Sequence, residues 1–172
     1  MPDFAPCFSP AGFEPYLKSL ADVVAALSPG TSFRDALGKV LDILSTEMHF
    51  ERPHIVVQNP GSGKLHLSMA RGKTAVPHLT YAPGTGITGQ VFESGKSLIV
   101  PRMKDHPDFM NKIFERSDEQ LSSLAFICVP VVTRPSGTDE GEKLVSIGTL
   151  SCDTAMAPAD ILSLRCRLLE VV

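Results

Sequence analysis

The chain has 172 residues, 43% of them hydrophobic and 20% charged, with 16 basic against 19 acidic side chains and a net charge of −3. That length suits one domain with a real core, and the near-balanced charge offers no global field to nucleic acid or an anionic membrane. No apolar run approaches the roughly 20 residues that cross a bilayer, and MPDFAPCFSP lacks the basic start and apolar core of a secretory signal. A cytoplasmic protein without direct nucleic-acid or membrane contact is expected.

Residues 1–12, with Pro2, Pro6, Pro10 and Gly12, read as a flexible arm. From Phe13, the apolar positions Leu17, Leu20, Val24 and Leu27 recur at helical spacing. Ser32 is an N-cap with Asp35 three residues on, and Phe33, Leu37, Val40, Leu41, Leu44 and Met48 form one face of a second helix. The period then changes. HIVVQN (54–59) and KLHLSMA (64–70) flank Pro60-Gly61-Ser62-Gly63 and read as a hairpin, with Leu65, Leu67 and Met69 on one buried face. A weaker strand at 79–81 leads to GTGITGQVFES, followed by the strand SLIVP at 97–101.

The GTGITG stretch (84–89) matches G-x-G-x-x-G, the glycine fingerprint of dinucleotide-binding loops. Its context does not fit. The fingerprint should follow a buried strand, open a helix long enough to cross a sheet, and precede a strand ending in an acid. Here HLTYAP precedes it, Gly95 stops the helix after about two turns, and SLIV ends at Pro101-Arg102. The glycines read instead as tight backbone geometry at the entry to a short helix over 87–93.

Residues 107–121 read as an irregular, charged helix. LAFICVPVVT (124–133) is a long apolar strand, expected at the centre of a sheet and covered on both faces, with LVSIGTLSCD (144–153) as its hairpin partner across a polar loop. Pro158 opens a last helix through Ile161, Leu164, Leu168 and Val171. The pattern is still running at Val172, so a segment of a longer protein is expected. The order of elements predicts an α+β domain over 13–172: a central antiparallel sheet of five to six strands, with the first and last helices on one face and short helices and loops over the other.

The four cysteines, Cys7, Cys128, Cys152 and Cys166, are widely separated, with no C-x-x-C and no Cys/His cluster. Cys128 and Cys152 read as buried apolar thiols; Cys7 is the one with an open redox or metal role. No metal site, catalytic constellation or cofactor is signalled.

Three pieces, GTGITGQVFESGKSLIVPRM, DHPDFMNK and LAFICVPVV with IGTLSCD, resemble the GAF domain family over about residues 14–172. Their combination is similar to the amino-terminal sensors of NifA-type nitrogen-fixation activators, enhancer-binding proteins that act with the alternative sigma factor. The resemblance implies a non-catalytic regulatory domain, answering a small molecule or a regulatory protein, whose ATPase lies outside this chain because no P-loop is present. It implies a pocket under Gly84, Gly86 and Gly89, with Ile87, Phe92, Met103, Phe109, Phe126 and Cys128 as candidate lining. Separately, the apolar stripes of helices 13–27 and 158–172 predict a homodimer through the terminal helices. Phe126 and Phe109 are expected to sense both pocket and helix. The sensor of a histidine kinase or other signalling protein is the alternative. A GAF-fold methionine sulfoxide reductase would need clustered reactive cysteines, which the glycine loop lacks. NKIFERSDE (111–119) resembles a cyclic-nucleotide signature but falls in one charged segment, so it reads as a solvated helix face.

Overall fold

A computed structural model describes residues 10–27, 30–75, 79–134 and 144–172. Cys7, most of the expected arm and the 135–143 loop lie outside the described residues. Helix α1 (Pro10–Ala26) begins three residues earlier than the Phe13 periodicity suggests. Helix α2 (Phe33–Thr46) starts where the cap predicts: the Ser32 hydroxyl accepts from the Asp35 amide at 3.1 Å, satisfying one of the orphan amides of the first turn.

Strands β1 (Glu51–Gln58), β2 (Leu65–Ala70), β3 (Thr80–Tyr81), β4 (Leu98–Val100), β5 (Leu124–Thr133) and β6 (Val145–Ala155) form one sheet in the order β3-β2-β1-β6-β5-β4. All five pairings are antiparallel. The β1–β2 turn is built by Asn59, whose Oδ1 accepts from the amides of Gly61 and Ser62 at 2.9 and 3.1 Å, an Asx arrangement. Helix α3 (Gly86–Ser94) lies between β3 and β4, and α5 (Ala159–Val171) closes the fold.

Side-chain alternation divides the sheet into two faces. Ile55, Ile127, Val129, Leu150 and Cys152 meet α1, α2 and α5 through Val23, Val40, Leu41, Leu44, Cys166 and Leu169. The opposite face, here called the chamber face, carries Val56, Phe126 and Cys128 under α3 and the irregular chain that follows β4. This is the expected α+β arrangement.

Three expectations are corrected. The long apolar β5 is not central; β1 and β6 occupy the middle, and β5 lies between β6 and the three-residue β4. Its first six residues are nonetheless buried on both faces, which produces the unbroken apolar run. Leu65, Leu67 and Met69 do not share a face. Ile55 pairs with Met69 but Val56 with Leu67, so Ser68 is an extra residue in the ladder. That bulge switches Met69 to the helix side while Leu65 and Leu67 stay on the chamber side. Finally, the expected helix at 107–121 is irregular chain up to Ser117, preceded by a single 3-10 turn at Met103–Asp105 and followed by a short α4 (Asp118–Ser123) with a Ser117/Gln120 capping box.

The helix-side core yields a direct prediction. Leu44 is fully buried and Phe33, on the same helix, is 74% exposed. Leu44→Ala is expected to lower the unfolding free energy in chemical denaturation by about 2–5 kcal/mol, whereas Phe33→Ala changes it by no more than about 0.5 kcal/mol.

Candidate functional site

The glycine loop folds onto itself. The Gly84 amide donates to the Gly89 carbonyl at 3.0 Å, and the Gly89 amide donates to Thr85 at 3.1 Å. Gly84 and Gly86 hold φ of 78° and 61°, a region costly for other residues. A Cβ on Gly89 would stand 2.9 Å from the Ala82 carbonyl oxygen, and one on Gly86 would collide with Met110. Two of the loop's amides therefore already have partners within the turn, and its glycines serve close packing rather than a phosphate cradle.

The helix this turn launches lies over the chamber face. Ile87, Met103, Phe126 and Cys128 are buried together, with Phe109 packed against them. Phe109 meets Phe126 edge to face at 5.3 Å between centroids, a favoured aromatic geometry. Phe92 joins a neighbouring cluster with Val56, Leu65, Tyr81, Ile113 and Phe114. Phe126 faces the chamber; its neighbour Ile127 touches the helix core.

Between these clusters lies a polar centre that sequence reasoning missed. Asp153, at the end of β6, is completely buried. Arg116 grips it with two parallel bonds, Nε to Oδ2 and Nη2 to Oδ1, both 2.7 Å. Arg52 adds a third, Nε to Oδ2 at 2.7 Å, from a residue whose φ of 48° falls where the β1–β6 ladder shifts register. The Arg116 guanidinium also stands 5.4 and 5.2 Å from the Phe109 and Phe114 ring centroids. Bidentate geometry and aromatic faces are what a planar guanidinium exploits best. Ile113, Phe114 and Arg116 are at most 7% exposed, so NKIFERSDE is no solvated helix face. Arg116 enters the core because its counter-charge waits on a distant strand.

His54 is buried beside this pair. Its Nδ1 lies 3.0 Å from the Arg52 carbonyl, and its ring is edge-on to Phe114 at 5.4 Å. Burial pushes its pKa down to about 4 from 6.5, only partly opposed by the Arg52 carbonyl and the Asp153 charge. On β6, Thr149, Ser151 and Asp153 alternate with Leu150 and Cys152, and all five are buried. Burial raises the pKa of the Cys128 thiol to about 12, against a weaker opposing effect of the neighbouring Ser151 and Thr149 hydroxyls. Burial likewise raises the thiols of Cys152 and Cys166. All three are protonated, unreactive thiols at neutral pH. The visible signal for the missed residues was T-L-S-C-D alternation, which normally means a wet polar face; here that face points inward.

An open groove of about 690 Å³ lies elsewhere, between α2 and β2, lined by Arg34, Asp42 and Arg71 among others. Its Arg71 is already committed, donating to the Gly38 carbonyl at 2.7 Å and Asp42 at 2.9 Å. The chamber face, with its buried charge and converging elements, is the stronger candidate. Among the described residues no group of three or more His, Cys, Asp or Glu side chains is placed to hold a metal, and no helix is long and apolar enough to cross a membrane.

No family model matches the chain. It is 27% identical over 161 residues to the nitrogen fixation protein VnfA of Azotobacter vinelandii, covering 88% of this chain and 29% of that protein. It is 26% identical over 132 residues to AnfA of the same organism, covering 76% of this chain and 25% of that protein. A Nif-specific regulatory protein of Azospirillum lipoferum is 27% identical over 136 residues, covering 73% and 22%. The chain thus spans under a third of the length of these relatives. Among solved structures, the A. aeolicus nlh2 GAF domain in an inactive state superposes with a TM-score of 0.74 at 19% identity, covering 91% of this chain and 90% of that one. The free methionine-R-sulfoxide reductase of Neisseria meningitidis with its substrate gives 0.67 at 20% identity, covering 91% and 84%.

His54 makes stability depend on pH. Near neutrality the imidazole is uncharged in both folded and unfolded chains. As pH falls below 6.5 toward 4, the unfolded chain takes up a proton that the folded chain refuses, so stability declines by up to about 1.4 kcal/mol per pH unit. Between pH 7 and pH 5 the wild type is expected to lose about 2 kcal/mol from this group, measured by urea denaturation at each pH. His54→Phe lacks that contribution and shows a correspondingly shallower profile.

Proposed function

From the premise that this chain has the GAF fold and is similar in sequence to nitrogen-fixation regulators, we propose that it is the regulatory sensor domain of a NifA-type transcriptional activator. In this reading it is a cytoplasmic module without catalysis of its own that controls an ATPase and DNA-binding output. The observation that carries the reading is the match to several nitrogen-fixation regulators over 73–88% of this chain, in a region under a third of their length. The GAF fold also supports reductases, but three thiols shifted toward the protonated form make poor nucleophiles. The proposed signal site is the chamber under α3, bounded by Gly84, Gly86, Ile87, Gly89, Met103, Phe109, Phe126 and Cys128, with Phe92 on its flank. The signal is a small molecule or a regulatory protein; it acts by favouring one packing of the cover chain and terminal helices over another.

Removing residues 1–172 from the full-length activator tests this reading. Sigma-factor-dependent transcription is expected to become constitutive or to lose its response to nitrogen and oxygen status; an unchanged response would refute it.

The terminal helices are proposed to form a homodimer. Leu17 and Val24, seven residues apart on α1, are 64% and 71% exposed, and Val171 on α5 is 70% exposed. A two-fold pairing would cover this stripe. By light scattering the domain is expected at dimer mass, with Val24→Glu shifting it to monomer while the circular dichroism spectrum is retained.

A further inference from the structure

The chain from His106 to Ser117 crosses the chamber face without regular structure. It is braced internally: the Asn111 side chain donates to the Arg116 carbonyl at 2.9 Å and accepts from the Arg116 amide at 3.1 Å. Its polar attachment to the sheet is the bidentate Arg116–Asp153 pair, flanked by Phe109 on Phe126 and Phe114 on His54. Besides that pair, it is tied by the Ala75 amide, which donates to the Ile113 carbonyl at 2.8 Å, and by Gln90, which donates to Asp108 at 3.0 Å; a braced segment with so few polar anchors is suited to move as a unit.

Beneath it, three polar atoms on adjacent strands have no nitrogen or oxygen partner among the described residues: His54 Nε2, Ser151 Oγ and Thr149 Oγ1. They belong together. His54 pairs directly with Ser151, and Val56 with Thr149 in the next row of the same face. Buried polar groups without partners are uncommon, and a cluster of them points to a missing occupant. The histidine specifies what is missing. A carbonyl can only accept, so the 3.0 Å contact with Arg52 puts the ring proton on Nδ1 and leaves a bare lone pair at Nε2. The occupant must donate there. It must also be uncharged at that end. A carboxylate would face the Nε2 lone pair, and an ammonium would add positive charge beside Arg116 and Arg52, which already share one carboxylate, with Glu51 3.5 Å from Arg52.

We propose that residues 106–117 form a cover pinned by Arg116 to Asp153, and that this cover closes on a small uncharged molecule whose N–H or O–H group donates to His54 Nε2. The Ser151 and Thr149 hydroxyls, each able to donate and accept, bind its other polar atoms. The inference rests on the sensor reading and adds the ligand class and the gating element.

The test uses the intact domain with 15N-labelled imidazoles, titrated with small primary amides and alcohols and with carboxylates and alkylammonium ions of matched skeleton. At least one uncharged probe is expected to shift the His54 Nε2 resonance saturably and to slow amide exchange across 106–117. The charged analogues leave both unchanged. Ser151→Ala is expected to weaken that probe about tenfold, with amide shifts in α2 and α5 preserved. Asp153→Asn should accelerate exchange in 106–117 without accelerating it in β1 and β2; should that variant not fold, Arg116→Lys, which keeps the charge and loses the fork, serves the same comparison. Binding of charged analogues as tight as the neutral ones, no saturable probe, or an Nε2 signal that already reports a hydrogen bond and never responds (an ordered water only) would each overturn the proposal. The transcription assay can fail without touching His54, and this titration can fail without touching transcription.

Discussion

The carboxylate of Asp153 is the constraint on which the rest of the chamber depends. A buried, unpaired carboxylate would cost several kcal/mol, and Asp153 is entirely shielded from solvent. Two arginines far apart in the sequence, Arg52 and Arg116, therefore converge on it. Arg52 is supplied by the irregular start of β1, and Arg116 by chain that has no regular structure of its own. Once Arg116 is committed, Phe109, Ile113 and Phe114 are carried against the sheet. One electrostatic requirement thus helps position the chain that packs over the chamber face.

The energetics suit specificity better than stability. A buried ion pair returns little net free energy relative to apolar packing, but losing one partner is expensive. The helix-side core, with Leu41, Leu44 and Leu169 nearly or fully buried, supplies mainly hydrophobic stabilisation and buries few polar groups, among them Ser19, which donates to Glu47 at 3.0 Å. The two faces of the sheet therefore do different work. One face mainly holds the domain together, and the other keeps polar groups dry in a fixed geometry.

Elements whose cause is local were legible in the sequence. The Ser32 cap and the apolar stripe of α2, the Asn59 turn, and the glycine entry to α3 each follow from residues within one turn or one hairpin. Misread positions depended on partners far along the chain. Arg116 and Asp153 are 37 residues apart, and Arg52 and Asp153 are 101 apart; no spacing rule exposes such pairs. The β2 bulge at Ser68 preserved perfect alternation on paper while reversing Met69 in space. In β6 the T-L-S-C-D alternation stands in the sequence, but which face meets water depends on α3 and the cover chain. The family resemblance named the apolar residues that pack under α3, whereas Arg116 and Asp153 carried no such signal.

Transmission from chamber to helices has a narrow set of physical routes. Strand β5 is shared by both sides: Phe126 and Cys128 face the chamber, Ile127 and Val129 face the helix core. A close-packed strand bonded to neighbours on both edges is a poor switch, because neither face can shift without breaking ladder bonds. Coupling needs an element with two arrangements that the ligand can bias. The cover chain fits that requirement better, since its place is set by one ion pair, two hydrogen bonds and a few rings rather than by a ladder. A second link runs round the sheet edge, where Ser97 beside β4 donates to Glu170 of α5 at 2.6 Å. Met103, immediately after β4, packs in the same cluster as Phe126 and Phe109. Movement of the cover would thus bear on β4 and, through Ser97, on the last turn of α5, without requiring the central strands to move.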